Sequence, residues 1–263
     1  MLDINYLKQN GVDVDKSLEL FGDLDVYNET FQDFLIGIDE KLDNLKKFKE
    51  AKDMPNYAIY AHSIKSDARY LGFSEVAKIA LDHEMAGKED NESFVLKHYD
   101  ELVAVTNKMI DVVKAYLNTD KNEEIKPSVV NIENTGEKVN VIVVADDSKL
   151  VTNFVTRAIS NIYNVVPAYD GAEVIDIINN PKYHIITLLL DLNMPNVGGF
   201  EVLDYLKKNN LFKEIPVSII TGEDSKDMIN KAFTYGIVDM LVKPFSEQDV
   251  KKVVEKTVNF INN

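Results

Sequence analysis

Four apolar runs, each ended by polar residues, constrain the C-terminal half of this chain more tightly than any other feature. Val139 to Ala145 runs into Asp146-Asp147, His184 to Leu190 into Asp191, Ile215 to Ile220 into Thr221, and Ile237 to Val242 into Lys243. Near-continuous apolar strands, each followed by a helical stretch, predict a parallel sheet covered on both faces. In such sheets ligand chemistry gathers at the carboxyl ends of the strands, so all five polar residues are expected at one edge.

Three carboxylates placed together repel unless a cation offsets them, and hard oxygen ligands that leave room for water suit Mg2+. A lysine and a hydroxyl opposite them complete a clamp for a phosphoryl group, with one carboxylate free to act as nucleophile. That is the chemistry of an aspartyl phosphate. The pair Asp146-Asp147 carries little weight alone, because the chain holds 44 Asp+Glu in 263 residues and repeats such pairs at Asp39-Glu40, Glu89-Asp90 and Asp100-Glu101. The specific signal is five chemically matched residues, each at the end of its own predicted strand.

From about Lys138 to Asn263 the chain resembles the response-regulator receiver domains of two-component signalling. The resemblance is carried by Ala145-Asp146-Asp147-Ser148, Asp191-Leu192-Asn193-Met194-Pro195, Gly198-Gly199, Thr221-Gly222 and Lys243-Pro244-Phe245. It implies a doubly wound, flavodoxin-like α/β domain with a five-stranded parallel sheet. Asp191 is then the phosphoacceptor, and Asp146, Asp147, Asp191 and the backbone carbonyl of Asn193 lie at Mg2+. Thr221 supplies the switch hydroxyl, Lys243 meets the phosphoryl oxygens, and the Lys243-Pro244 bond is cis. Where the family usually has an aromatic residue three positions before the lysine, this chain has Met240.

Composition bounds the remainder. The length suits two domains of ordinary size. No cysteine occurs, which excludes disulfides and thiol chemistry. No run approaches the ~20 apolar residues of a membrane span, and Met1-Leu2-Asp3-Ile4-Asn5 lacks the features of a signal peptide, so a soluble, cytoplasmic protein is expected. The formal net charge is −15, and residues 1–120 carry 14 Lys+Arg against 24 Asp+Glu. Neither half supplies the basic clusters that phosphate-backbone binding needs, which argues against nucleic acid.

Residues 119–138 are polar, are interrupted by Pro127 and Gly136, and show no sustained periodicity, which marks a linker between residues 1–118 and 139–263. The first segment is helical in pattern throughout. Phe31, Phe34, Leu35, Ile38, Leu42, Leu45 and Phe48 form a stripe on a helix from about Asp25 to Ala51. A second helix starts after Pro55 and stops near Gly72, a third carries Val76, Ile79 and Ala80, and a fourth runs from Leu102 to Tyr116. Four amphipathic helices joined by short turns predict an all-α antiparallel four-helix bundle.

His62 lies beside the apolar stripe of the second helix, with Lys65, Ser66 and Arg69 on the same face at i+3, i+4 and i+7. A partly exposed imidazole can act as a nucleophile, and cations one turn away stabilise the phosphoryl group it acquires. A surface histidine on a polar helix face is the plainer reading. His83, His98 and His184 show no metal-ligand spacing and are expected to be structural, with His83 at the bundle edge.

Ala61-His62-Ser63-Ile64-Lys65-Ser66 and Leu71-Gly72 resemble the signature of histidine-containing phosphotransfer (HPt) domains, in which the active histidine is exposed in mid-helix. Where that family commonly has glycine four residues after the histidine, this chain has Ser66. The two resemblances imply a phosphorelay protein carrying phosphate on His62 and Asp191. It would be supplied by an outside histidine kinase, hybrid or simple, or by other receiver domains, and it would have no kinase catalytic domain of its own. Two other readings stand beside it: an interaction module with His62 idle, and a Mg2+-dependent phosphohydrolase.

Overall fold

The structure is a computed structural model that describes residues 2–118, 138–222 and 226–260, with the side chains of residues 226–228 left aside. The chain divides into two compact units, Met1–Ile125 and Lys126–Asn263. Of the linker expected at residues 119–138, all but Lys138 lies outside the described residues.

In the first unit the four expected helices form as α3 (Leu24–Glu50), α4 (Met54–Leu71), α5 (Ser74–Lys88) and α6 (Glu92–Leu117). They are preceded by two short helices that the sequence reading did not anticipate, α1 (Ile4–Gln9) and α2 (Val14–Phe21). Helices of six and eight residues are too short to repeat an apolar period, which is why pattern alone passed over them.

Capping chemistry sets the boundaries. The side chains of Asp23, Asp53 and Asn91 accept from the backbone N–H groups of Asp25, Asn56 and Phe94 at the starts of α3, α4 and α6. Gly72 ends α4 in the left-handed region at φ 84°. The buried seam runs from Phe31, Phe34, Ile38 and Leu45 of α3, through Tyr57, Ala61, Ile64 and Ala68 of α4, to Leu102, Met109 and Val113 of α6. No described helix is long and apolar enough to cross a membrane.

The second unit alternates strand and helix: β1 (Val139–Ala145), α7 (Lys149–Ile159), β2 (Asn164–Ala168), α8 (Gly171–Asn179), β3 (Tyr183–Asp191), α9 (Gly199–Lys208), β4 (Val217–Gly222), α10 (Lys226–Phe233), β5 (Asp239–Lys243) and α11 (Glu247–Val258). The five strands are parallel in the order β2-β1-β3-β4-β5. This is the flavodoxin-like arrangement expected. On one face Val141, Val143, Leu188, Leu190 and Ile219 pack with Val174 of α8 and with Val202 and Leu206 of α9. On the other, Ser218 shares a buried 2.7 Å hydrogen bond with Thr257 of α11. Because β1 and β3 are neighbours while the chain leaves them for opposite sides of the sheet, a crevice opens where their carboxyl ends meet.

Two glycines of the helical unit offer a matched test of close packing. Both adopt positive φ, but a Cβ on Gly72 would meet the Asp13 carbonyl oxygen at 2.6 Å, whereas one on Gly11 would meet nothing within 4 Å. Gly72→Ala is expected to destabilise the unit by about 3 kcal/mol and Gly11→Ala by about 1 kcal/mol. Equal urea midpoints for the two variants would refute that difference.

Candidate functional site

The crevice of the second unit collects the residues expected there. Asp146 and Asp147 follow β1, and Asp191 ends β3. Thr221 lies near the end of β4, in register with Val242, and Lys243 ends β5. Asp146, Asp191 and Thr221 are fully buried, and Lys243 nearly so. The Lys243 ammonium pairs with Asp191 Oδ2 at 2.5 Å and with Asp146 Oδ2 at 2.7 Å. Asp191 Oδ1 accepts from the backbone N–H of Asn193 at 2.9 Å, and Asp146 Oδ1 accepts from that of Ser148 at 3.0 Å.

Gly199 makes this approach sterically feasible. A Cβ there would lie 2.3 Å from the Asp191 carbonyl oxygen, so only glycine lets α9 start against the strand end. The Lys243-Pro244 bond is cis, as expected. Met240 is half-buried on β5 and packs against the core.

Oxygens of Asp146, Asp147 and Asp191 all lie within 4.8 Å of one another. One ammonium cannot neutralise three carboxylates. Burial, opposed by Lys243 and reinforced by the charges of Asp191 and Asp147, pushes the Asp146 carboxyl up to about 8. The same surroundings hold Lys243 protonated: its neighbouring carboxylates outweigh the burial that works against its charge. Hard oxygen donors carrying excess negative charge are the donor set that fits a small divalent cation.

The helical unit departs from expectation at its histidine. His62 sits in the middle of α4, but it is only 4% exposed, and Lys65 and Ser66 are buried with it. The face that reads as polar in sequence packs inward because a carboxylate from the next helix meets it. His62 Nδ1 lies 2.9 Å from Glu84 Oε1, Lys65 Nζ lies 2.5 Å from Glu84 Oε2, and Lys88 Nζ lies 2.5 Å from Oε1. The ammonium of Lys65 is thereby paired with Glu84.

Burial raises the Glu84 carboxyl, but its hydrogen bond to His62 and the charges of His62 and Lys65 outweigh this and hold it well below the usual carboxylate range. An ionised Glu84 can only accept, so Nδ1 is the donor nitrogen of His62 and Nε2 is the ring nitrogen left outside this hydrogen bond. Nε2 makes no hydrogen bond among the described residues and is not fully enclosed, so the small exposed part of the ring includes this nitrogen.

Sequence reading passed over Glu84, although a signal exists. It falls at i+4 from Ala80 and i+7 from Ala77, an acid on an apolar stripe. His83 lies within the core rather than at the bundle edge. It is fully buried, shares a 2.7 Å hydrogen bond with the Tyr57 hydroxyl, and is held towards its neutral form by burial. His98 pairs with Glu101 and His184 with Asn140, both at the surface.

The depressed Glu84 carboxyl has a pH signature. A carboxyl that ionises more readily in the folded unit than in the unfolded chain contributes stability that is complete above its ordinary value of 4.5 and is lost as pH falls towards its folded value. Glu84→Gln should cost about 3 kcal/mol near neutrality and flatten acid unfolding of the helical unit below that value. A parental acid-unfolding profile in the variant would show that the carboxylate is not held as described.

Comparison with known proteins finds two domain types in this chain. Residues 29–116 match the Hpt domain model and residues 142–255 the response regulator receiver domain model. A hybrid signal transduction histidine kinase D of Dictyostelium discoideum is 30% identical over 132 residues, 49% of this chain and 8% of that protein. A probable cyclic di-GMP phosphodiesterase of Vibrio cholerae is 31% identical over 105 residues, 40% of this chain and 23% of that protein. The chain thus spans less than a quarter of the length of these two curated relatives. The chemotaxis protein CheY of Pseudomonas aeruginosa is 26% identical over 46% of this chain and 98% of its own length. Among solved structures, a Francisella receiver domain is 28% identical with a TM-score of 0.39, covering 44% of this chain and 95% of that one. With an Hpt domain followed by a response regulator receiver domain, the chain belongs to the two-component phosphorelay proteins.

Proposed function

We propose that the chain relays phosphoryl groups between His62 of its Hpt domain and receiver aspartates, Asp191 among them. The observation that carries this reading is the Glu84 carboxylate 2.9 Å from His62 Nδ1, which occupies that nitrogen and leaves Nε2 with an opening to solvent. A structural histidine needs no such arrangement, as His83 illustrates with its enclosed ring and tyrosine partner. This geometry favours the relay over the interaction module with an idle His62. The acidic crevice is shared by the relay and the phosphohydrolase readings, whereas the second nucleophile belongs to the relay alone.

In the receiver, Asp191 acts as the nucleophile. Its Oδ1 is aimed by the Asn193 N–H, and Lys243 moves from the carboxylates to the incoming phosphoryl oxygens. Thr221 supplies a hydroxyl at the same edge. Asp146 and Asp147, with Asp191 and the carbonyl of Asn193, would hold Mg2+, which offsets the charge of the cluster and of the phosphoryl group. Phosphate enters from an external histidine kinase or from another receiver. A protein of this kind works in the cytoplasm, where those partners present their phosphorylated residues.

Supplied with a phosphorylated receiver, the chain should acquire base-stable, acid-labile phosphate that His62→Gln abolishes. Acetyl phosphate should give hydroxylamine-sensitive labelling that Asp191→Asn abolishes. Asp147→Ala should weaken Mg2+ binding by an order of magnitude or more, read by titration, and leave the fold intact. Undiminished labelling of the His62→Gln chain would move the nucleophile elsewhere. Steady turnover of free phosphomonoesters would favour a hydrolase instead.

A further inference from the structure

Helical hydroxyls in this chain commonly satisfy themselves on the carbonyl four residues earlier. Thr30 donates to Val26, Thr106 to Leu102, Thr156 to Thr152 and Thr257 to Val253, at 2.6 to 2.8 Å. Two serines of α4 do not. The hydroxyls of Ser63 and Ser66 are enclosed, and neither has a hydrogen-bond partner among the described residues. An enclosed donor left unpaired is a standing cost to the fold, and a carbonyl one turn back is a ready remedy that neither residue takes.

Position separates the two. Ser66 lies four residues after His62, so the two side chains share a helix face and both lean towards the N-terminus. Ser63 is the next residue along, turned away by about 100°. Beside the imidazole, therefore, stands a buried hydroxyl with a proton to donate. The nearest lysine on that face, Lys65, is already bound to Glu84. His62 Nδ1 is held by the same carboxylate, so a phosphoryl group can be carried only on Nε2. A ring that is 4% exposed keeps any group on it close to neighbouring side chains.

We propose that Ser66 is a phosphoryl-binding residue of the His62 site, its Oγ–H donating to an oxygen of the group carried on Nε2. This rests on the reading of His62 as a phosphoacceptor and assigns it a partner that a glycine at this position could not supply. In the step itself, the Nε2 lone pair attacks the phosphorus of an acyl phosphate. The N–P bond forms as the P–O bond to the donor carboxylate breaks, and the electron pair leaves with that carboxylate. The Nδ1 proton stays on the hydrogen bond to Glu84. Ser66 keeps its proton throughout and shares it with a phosphoryl oxygen whose negative charge strengthens the bond.

The test uses the full chain carrying Asp191→Asn, so that histidyl phosphate alone accumulates, with phosphoramidate as the donor. The His62→Gln variant identifies the signal. Phosphorus NMR reads the resonance and the lifetime of phosphohistidine. Ser66→Ala and Ser66→Gly are expected to shift that resonance and shorten the lifetime on the order of five- to tenfold, the effect of losing one hydrogen bond to a charged group. Ser66→Thr, which retains the hydroxyl, is expected to restore both, and Ser63→Ala to leave both unchanged. The unphosphorylated Ser66→Ala chain should melt at or above the parental temperature, because it removes an unpaired buried donor. A purely packing role would lower it. Parental resonance and lifetime in both Ser66→Ala and Ser66→Gly would overturn the role of Ser66 while leaving His62 in place. Absence of phosphohistidine in the chain with Ser66 intact would overturn the reading of His62, and Ser66 with it.

Discussion

An ammonium group enclosed by a protein must be matched by carboxylates, and a carboxylate so enclosed must be matched by cations or hydrogen-bond donors. Both units of this chain are organised around that requirement. In the receiver, Lys243 spans Asp146 and Asp191 across the point where the sheet divides. In the Hpt domain, Glu84 gathers His62, Lys65 and Lys88 from two helices. The balance differs in sign. The receiver crevice has one ammonium for three carboxylates and is short of positive charge, whereas the Hpt cluster has two lysines and an imidazole for one carboxylate.

The imbalance suits each site to its chemistry. Burial raises the Asp146 carboxyl to about 8, against the pull of Lys243 and with the charges of Asp191 and Asp147 adding to the rise, and such a surplus of buried carboxylate is a donor set that fits a divalent cation. His62 and Lys65 around Glu84 keep its carboxylate ionised against burial, and an ionised acceptor fixes Nδ1 as the donor nitrogen of the imidazole next to it. The atoms proposed to react, an aspartate oxygen in one case and Nε2 in the other, are those left outside the internal pairing or able to leave it. Rigid surroundings supply the orientation. Gly199 lets α9 begin against β3, and a close contact between Gly87 and Ala58 brings α5 against α4, where Glu84 meets His62.

The receiver was legible because a parallel sheet writes itself into the chain. Each strand is an apolar run, and a residue that ends such a run has nowhere to go but the sheet edge, so Asp146, Asp191, Thr221 and Lys243 could be placed together before any coordinates. The bundle was legible as helices, since stripes of three- and four-residue spacing and Gly72 mark them. It was less legible as a site. Periodicity assigns a residue to a face but does not say whether a neighbouring helix covers that face. His62, Lys65 and Ser66 therefore read as exposed when they are buried.

By itself, the sequence determined the two-domain order, the element types, the identity of the five strand-end residues and the candidate histidine, because each depends on spacing along one segment of chain. Only the tertiary structure decided which side chains meet. It put Glu84 on Nδ1 of a histidine 22 residues away, took Lys65 out of solvent, left the Ser66 hydroxyl without a partner and joined Lys243 to an aspartate 52 residues earlier. Such pairings depend on how faces pack in space, and local spacing carries no information about the distance between groups that packing brings together.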